Sequence, residues 1–149
     1  MEAIIFIGIQ ATGKSTFYQQ KFFKTHVRIN LDMLKTRHRE DLLLRACIEA
    51  RQPFVVDNTN VLKSERARYI ALAKPFGFQV TGYYFHSKLS QALQRNSQRT
   101  GRENIPAIGL VDKIKRLEIP SYAEGFDRLY YVTIDPVNSQ FIIKEWKAE

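Results

Sequence analysis

The chain has 149 residues, 44% of them apolar and 26% charged, which is the composition of an ordinary globular protein with one hydrophobic core. Cys47 is the only cysteine, so an intramolecular disulfide is excluded and a cysteine-built zinc site is disfavoured, which fits a reducing cytoplasm. Lys and Arg outnumber Asp and Glu by 23 to 15, for a formal charge of +8, and residues 88–102 carry only basic charges. A charge of that sign suits a polyanionic partner, although a solvated basic face explains it equally well.

Short apolar runs alternate with longer amphipathic stretches, with no repeat, linker or low-complexity segment. The alternation predicts one domain over residues 1–149, an α/β fold with a doubly wound parallel sheet of about five strands flanked by helices. Residues 3–9 form a continuous apolar run, as a central strand covered on both faces requires. The run is too short to cross a membrane, and Glu2 rather than a basic residue precedes it, so neither a signal segment nor a membrane partner is expected. A helix is predicted over 14–24, a short strand over 27–30 and a helix over 41–51, where Leu42, Leu43, Ala46 and Ala50 recur at helical spacing. Residues 54–57 read as a third strand, 63–74 as a helix ended near Pro75 and Gly77, and 79–85 as a fourth strand. Helices are expected over 87–99 and 106–117 and a fifth strand over 128–134, with residues 138–149 able to add an edge strand.

Gly8-Ile9-Gln10-Ala11-Thr12-Gly13-Lys14-Ser15 fits G-x-x-x-x-G-K-[ST] between an apolar strand and a helix, the context that gives this motif its meaning. Its glycines let successive backbone N–H groups surround a phosphate, and the positive end of the following helix adds to the attraction. Lys14 then reaches the β and γ phosphates of ATP, GTP or another NTP, Ser15 ligates Mg²⁺, and Gln10, Ala11, Thr12 and Thr16 complete the nucleotide-binding loop.

Asp57 closes the strand over 54–57, where a carboxylate in such a fold can organise Mg²⁺ or its water; the plainer alternative is a turn acid. Asn58-Thr59-Asn60 after it is too polar for a core turn. Asp32 follows the short strand at the sheet end where open α/β folds bind ligands, and its carboxylate can accept the proton of an attacking hydroxyl. Capping the next helix is the rival role for Asp32. Arg95 and Arg99 stand four apart on one helical face, with Arg102 close behind, as suits either solvated surface or a lid that clamps phosphoryl oxygens.

Residues 8–16, Ile29-Asn30-Leu31-Asp32, Val56-Asp57-Asn58-Thr59-Asn60 with Ser64-Glu65-Arg66-Ala67-Arg68-Tyr69, Arg95-Asn96-Ser97-Gln98-Arg99, and Ile105-Pro106 leading to Pro120 and Glu124-Gly125-Phe126-Asp127 together resemble the kinase domain of polynucleotide 5′-hydroxyl kinases. The resemblance spans residues 3–134 and implies transfer of a phosphoryl group from an NTP to the 5′-hydroxyl of DNA or RNA. It implies Lys14 and Ser15 on phosphate and Mg²⁺, Asp32 as general base, Arg99 as the catalytic lid arginine and Arg95 assisting at the nucleotide. Lys35, Asp57, Thr59 and Asn60 fall where an acceptor would bind. Viral members of that family carry an arginine three residues after the base, and Lys35 cannot make the same bidentate contact. A P-loop kinase for a nucleoside, sugar or antibiotic hydroxyl is the rival, and a non-catalytic nucleotide-dependent module is a second, disfavoured because a mere binder needs no base. His26, His38 and His86 lack metal-ligand spacing, Cys47 suits a small core residue, Tyr83, Tyr84 and Phe85 suit sheet core, and Trp146 suits an anchor for the chain's end.

Overall fold

The computed structural model describes residues 1–86, 96–98 and 106–147. Strands β1 (Glu2–Ile7), β2 (Val27–Ile29), β3 (Phe54–Val56), β4 (Gln79–Phe85), β5 (Arg128–Ile134) and β6 (Phe141–Glu145) form one sheet in the order β2-β3-β1-β4-β5-β6. All neighbours pair in parallel except β6, which runs antiparallel to β5. The sixth strand lies in the segment expected to supply an edge. The helices are α1 (Lys14–Lys21), α2 (Leu31–Leu34), α3 (Arg37–Ala50), α4 (Lys63–Ala73) and α5 (Ala107–Arg116). None of the described helices is long and apolar enough to cross a membrane. The helix expected over 87–99, with Arg95 and Arg99, lies largely outside the described residues, as does Arg102.

Period-two alternation sorts β1 between two cores. Ile4 and Phe6 face α1 and pack with Phe17, Tyr18, Phe22, Val55 and Phe85. Ala3, Ile5 and Ile7 face the other way and pack with Leu44 and Ile48 of α3 and Tyr69 and Ile70 of α4. A strand apolar on both sides therefore has helices on both sides, and each fully buried Ile or Phe contributes roughly 1.5–3 kcal/mol. The α1 side is an aromatic cluster, with Phe6 and Phe85 ring centroids 4.9 Å apart and Phe17 edge-on to Phe141 of β6 at 5.0 Å.

Two helix boundaries differ from the expectation. Helix α3 begins at Arg37 rather than near residue 41, because the Thr36 hydroxyl caps it by accepting from Arg39 N at 3.1 Å, and its charged first turn hid that start. Helix α1 stops at Lys21, where Phe22 turns into the aromatic core. Cys47 is buried, and burial pushes its thiol pKa up, so it remains an uncharged core residue. Burial likewise pushes the Tyr83 hydroxyl up to about 12. Trp146 N donates to Leu129 O at 2.8 Å and Trp146 O accepts from the Tyr122 hydroxyl, which fixes the end of β6.

Gly82 in β4 is required by packing. A Cβ there would lie 2.6 Å from Leu129 Cδ2 and 2.9 Å from Phe126 Cε1, and both of those side chains are buried. Gly82→Ala is therefore expected to lower stability by about 1–3 kcal/mol, read as a reduced urea midpoint with an unchanged m-value.

Candidate active site

The first turn of the site is built by the loop between β1 and α1. Gly13, at φ 91°, is the N-cap of α1, and Ala11 is also left-handed at φ 63°. This backbone is costly for alanine, and left-handed turns of this kind can aim successive amide groups at an anion. Gly8 approaches β4 so closely that a Cβ would stand 2.7 Å from Phe85 O. The Lys14 ammonium lies over the loop, donating to Gly8 O at 2.9 Å and Ile9 O at 2.6 Å. Thr12 is buried and donates to Ile9 O at 2.9 Å, so it shapes the loop from within.

The second wall comes from the ends of β2 and β3, which the parallel register sets beside β1. Asp57 N donates to Ile29 O at 2.8 Å, continuing the ladder one residue past β3. The Asp57 side chain, 2% exposed, receives Ser15 Oγ at 3.2 Å on its Oδ2. Arg28 Nε and Nη2 reach the same oxygen at 2.9 and 2.8 Å. Ser15 and Asp57 are thus neighbours, and their hard oxygen donors fit Mg²⁺.

Helix α2, which carries Asp32, is a single turn fastened at its start. Asn30 Oδ1 accepts from Met33 N at 2.9 Å, while Asn30 Nδ2 donates to Asp57 O at 2.6 Å. Leu31 N donates to Asn58 Oδ1 at 2.9 Å. The cap of α2 is therefore Asn30 and that of α3 is Thr36, and Asp32 fills neither place. Among the described residues, the Asp32 carboxylate has no hydrogen bond or ion pair.

These walls enclose a cavity of about 510 Å³. Gln10, Ala11, Gly13, Lys14, Ser15 and Thr16 line one end of it. Asp32, Asp57 and Thr59 line the rest, with Asn30, Leu31, Asn58 and Lys113. Gly8 and Thr12 support the loop from behind. Lys35 lies outside the cavity, exposed and left-handed at φ 76° just beyond α2. Asn60, expected among the acceptor contacts, is 2% exposed and donates to Phe6 O at 2.8 Å, so it ties its loop to β1 instead of facing the cavity. Arg95 and Arg99 lie outside the described residues.

Sequence reading did not single out Arg28, Glu40 or Lys113. Arg28 was detectable as the one charged residue between Val27 and Ile29, which period two places on the opposite face. Glu40 precedes Leu44 by one helical step on the buried face of α3, a clue lost when that helix is begun at residue 41. Lys113 is half-buried on a helix whose Leu110 and Ile114 pack on Ile9 of the loop, a tertiary contact without a local signature.

A phosphate loop at the end of a parallel sheet, with the Ser15 and Asp57 oxygens beside it and a carboxylate across a cavity, defines a P-loop nucleotide-binding protein of the kinase type. The AAA domain family matches residues 4–117, and the chain belongs to that family. The bifunctional polynucleotide phosphatase/kinase of Schizosaccharomyces pombe is 28% identical over 132 residues, 84% of this chain and 32% of the relative. A putative bifunctional polynucleotide phosphatase/kinase of Acanthamoeba polyphaga mimivirus is 27% identical over 98% of this chain and 36% of its own length. The chain thus spans about a third of the length of these curated relatives. Among solved structures, a gluconokinase from Sinorhizobium meliloti 1021 superposes with TM-score 0.62 at 23% identity, covering 89% of this chain and 82% of its own. Kti12 of Chaetomium thermophilum, in complex with ADP-AlF3, gives TM-score 0.71 at 16% identity over 91% of both chains. At that identity the two structures share the fold.

Lys14→Ala removes the ammonium from the loop and is expected to weaken NTP binding at least tenfold, measured by equilibrium titration with a fluorescent nucleotide. Unchanged affinity would remove the loop from the nucleotide site.

Proposed function

We propose that residues 1–149 form one kinase domain that transfers the γ-phosphoryl group of an NTP to the 5′-hydroxyl end of DNA or RNA. The observation that carries this reading is the cavity itself, which joins the phosphate loop to a carboxylate that caps no helix. Lys14 and the loop amides would hold the β and γ phosphates. Ser15 and Asp57 would hold Mg²⁺, which when bound neutralises charge on those phosphates. Asp32 would accept the proton of the acceptor hydroxyl as its oxygen forms the new bond to the γ-phosphorus, while the bond from that phosphorus to the β,γ-bridging oxygen breaks and the NDP leaves. The lid role of Arg99, with Arg95, rests on the family resemblance.

The polynucleotide acceptor is supported by the two curated relatives and by the chain that follows the base. Lys35, Arg37, His38 and Arg39 are all exposed, directly after α2. Arg37 pairs with the buried Glu40, and the cations of Lys35 and Arg39 beside the proposed base suit the phosphates of a strand whose end enters the cavity, with Lys35 nearest the first of them. A neutral metabolite would gain nothing from these cations.

Asp32→Asn is expected to leave NTP affinity within a few-fold and to lower turnover by on the order of 10² or more, since it removes a proton acceptor and no phosphate ligand. Near-normal turnover would discard the base.

The acceptor is tested by γ-phosphate transfer to 5′-OH oligonucleotides and to small hydroxyl metabolites from 50 to 200 mM salt. Two or three phosphate contacts on a single strand predict a loss of oligonucleotide affinity of roughly seven- to twentyfold across that range. Transfer to a sugar or nucleoside, with none to any oligonucleotide, would leave a small-molecule kinase in its place.

A further inference from the structure

Arg28 is the only cation in hydrogen-bond contact with the buried Asp57 carboxylate among the described residues. Val27 and Ile29 run along one side of β2, and the intervening Arg28 turns toward α1, where its guanidinium lies 5.9 Å from the Tyr18 ring centroid. Its Nε donates to Asp57 Oδ2 at 2.9 Å and its Nη2 donates to Ser15 Oγ at 2.9 Å, with Nη2 also 2.8 Å from Asp57 Oδ2 in an ion pair. The Arg28 side chain is 26% exposed and that of Asp57 is 2% exposed. A carboxylate so buried needs a counter-charge, and a guanidinium supplies one that no accessible pH removes.

The two oxygens clasped by Arg28 are those assigned above to Mg²⁺, and the inference rests on that assignment. A second cation reaching them meets a fixed positive charge within about 5 Å, where repulsion between a single and a double charge is strong even at an effective dielectric near 20. An NTP reverses the balance. Its phosphates bring enough negative charge to hold the metal and to give the guanidinium other oxygens to contact.

We propose that Arg28 makes divalent-cation binding conditional on nucleotide, acting as a positioning residue that holds the Asp57 carboxylate and the Ser15 hydroxyl in place, excludes free metal, and yields both oxygens when a nucleotide's phosphates enter. The chain would then take up its metal as the metal–nucleotide complex and stay unloaded in free metal alone.

The test measures Mn²⁺ binding to the full chain without nucleotide, from the electron paramagnetic resonance signal of free Mn²⁺. Arg28→Gln is expected to bind Mn²⁺ at least tenfold more tightly than the natural protein. Arg28→Lys, which keeps the charge, should stay within a few-fold of it. The double variant Arg28→Gln/Asp57→Asn should lose the gain, which ties the gain to this site. Saturating ADP should bring the natural protein to within a few-fold of Arg28→Gln. Arg28→Met keeps the stem against Tyr18 and provides the same comparison if thermal unfolding shows Arg28→Gln to be unstable.

The proposal is overturned if the neutral variants bind Mn²⁺ no more tightly than the natural protein. It is equally overturned if Arg28→Lys gains as much as they do, or if the gain survives Asp57→Asn. No acceptor is present in these titrations, so their failure leaves the polynucleotide reading standing, and failure of the acceptor assay leaves the metal result intact.

Discussion

The site depends on how the polar loop after β3 is fastened to the end of β1. Gly8 N donates to Thr59 O at 2.9 Å, and Asn60 Nδ2 donates to Phe6 O at 2.8 Å, so one backbone and one side-chain hydrogen bond join the loop after β3 to the phosphate loop and the end of β1. Arg66, fully buried on α4, holds the other side by donating to Asn60 O at 2.9 Å and Val61 O at 3.2 Å. Its Nε and Nη2 form a two-pronged contact with Glu124 at 2.8 and 3.1 Å. Buried polar groups are tolerated when each finds its partner, and Arg66 finds four. Because these bonds run between loops that are distant in sequence, the distance from Ser15 to Asp57 is fixed by the sheet and does not depend on either loop alone.

The far side of the phosphate loop is held by packing. A Cβ on Gly13 would lie 3.0 Å from Phe141 Cε1 and 3.2 Å from Ile134 Cδ1, so β5 and β6 press directly on the turn that starts α1. The antiparallel strand thus does more than close a sheet edge. It places Phe141 against both Gly13 and Phe17, and the aromatic cluster continues from the core to the turn that carries Lys14. The glycine is demanded twice, by its left-handed backbone and by this contact.

Much of the fold was legible because its signals are local. Continuous apolar runs marked β1, β3 and β4, and the phosphate loop announced itself by spacing and context. Asp57 and Asp32 could be placed because a carboxylate just past an apolar run stands at a strand's end. What escaped was set by tertiary partners. Asn60 reads like a polar acceptor contact, yet the backbone carbonyl of Phe6 claims its amide. Glu40 looks like one charge among several in a solvated stretch, yet it is fully buried with three donors on Oε1 alone: Arg37, Arg68 and Tyr69, at 2.9, 2.7 and 3.0 Å. For Asn60 nothing local marks the burial, and for Glu40 the helical spacing to Leu44 shows it only once the helix is known to begin at Arg37.

Glu40 also explains how a one-turn helix can hold the Asp32 carboxylate in place. Four residues do not form a stable helix by themselves, since nucleation costs more than one turn of hydrogen bonds returns. The start of α2 is therefore set from outside. Glu40 Oε2 accepts from Asn58 Nδ2 at 3.1 Å, which orients the Asn58 amide so that its Oδ1 meets Leu31 N. Asn30 ties the same turn to Asp57 O. A buried carboxylate with several donors is costly to desolvate, and its return is directional: it leaves Asn58 one workable orientation. The chain of contacts runs from Arg68 and Arg37 through Glu40 and Asn58 to Leu31, beside Asp32. The position of the proposed base is thereby set by α3 and α4, elements that contribute no side chain to the cavity itself.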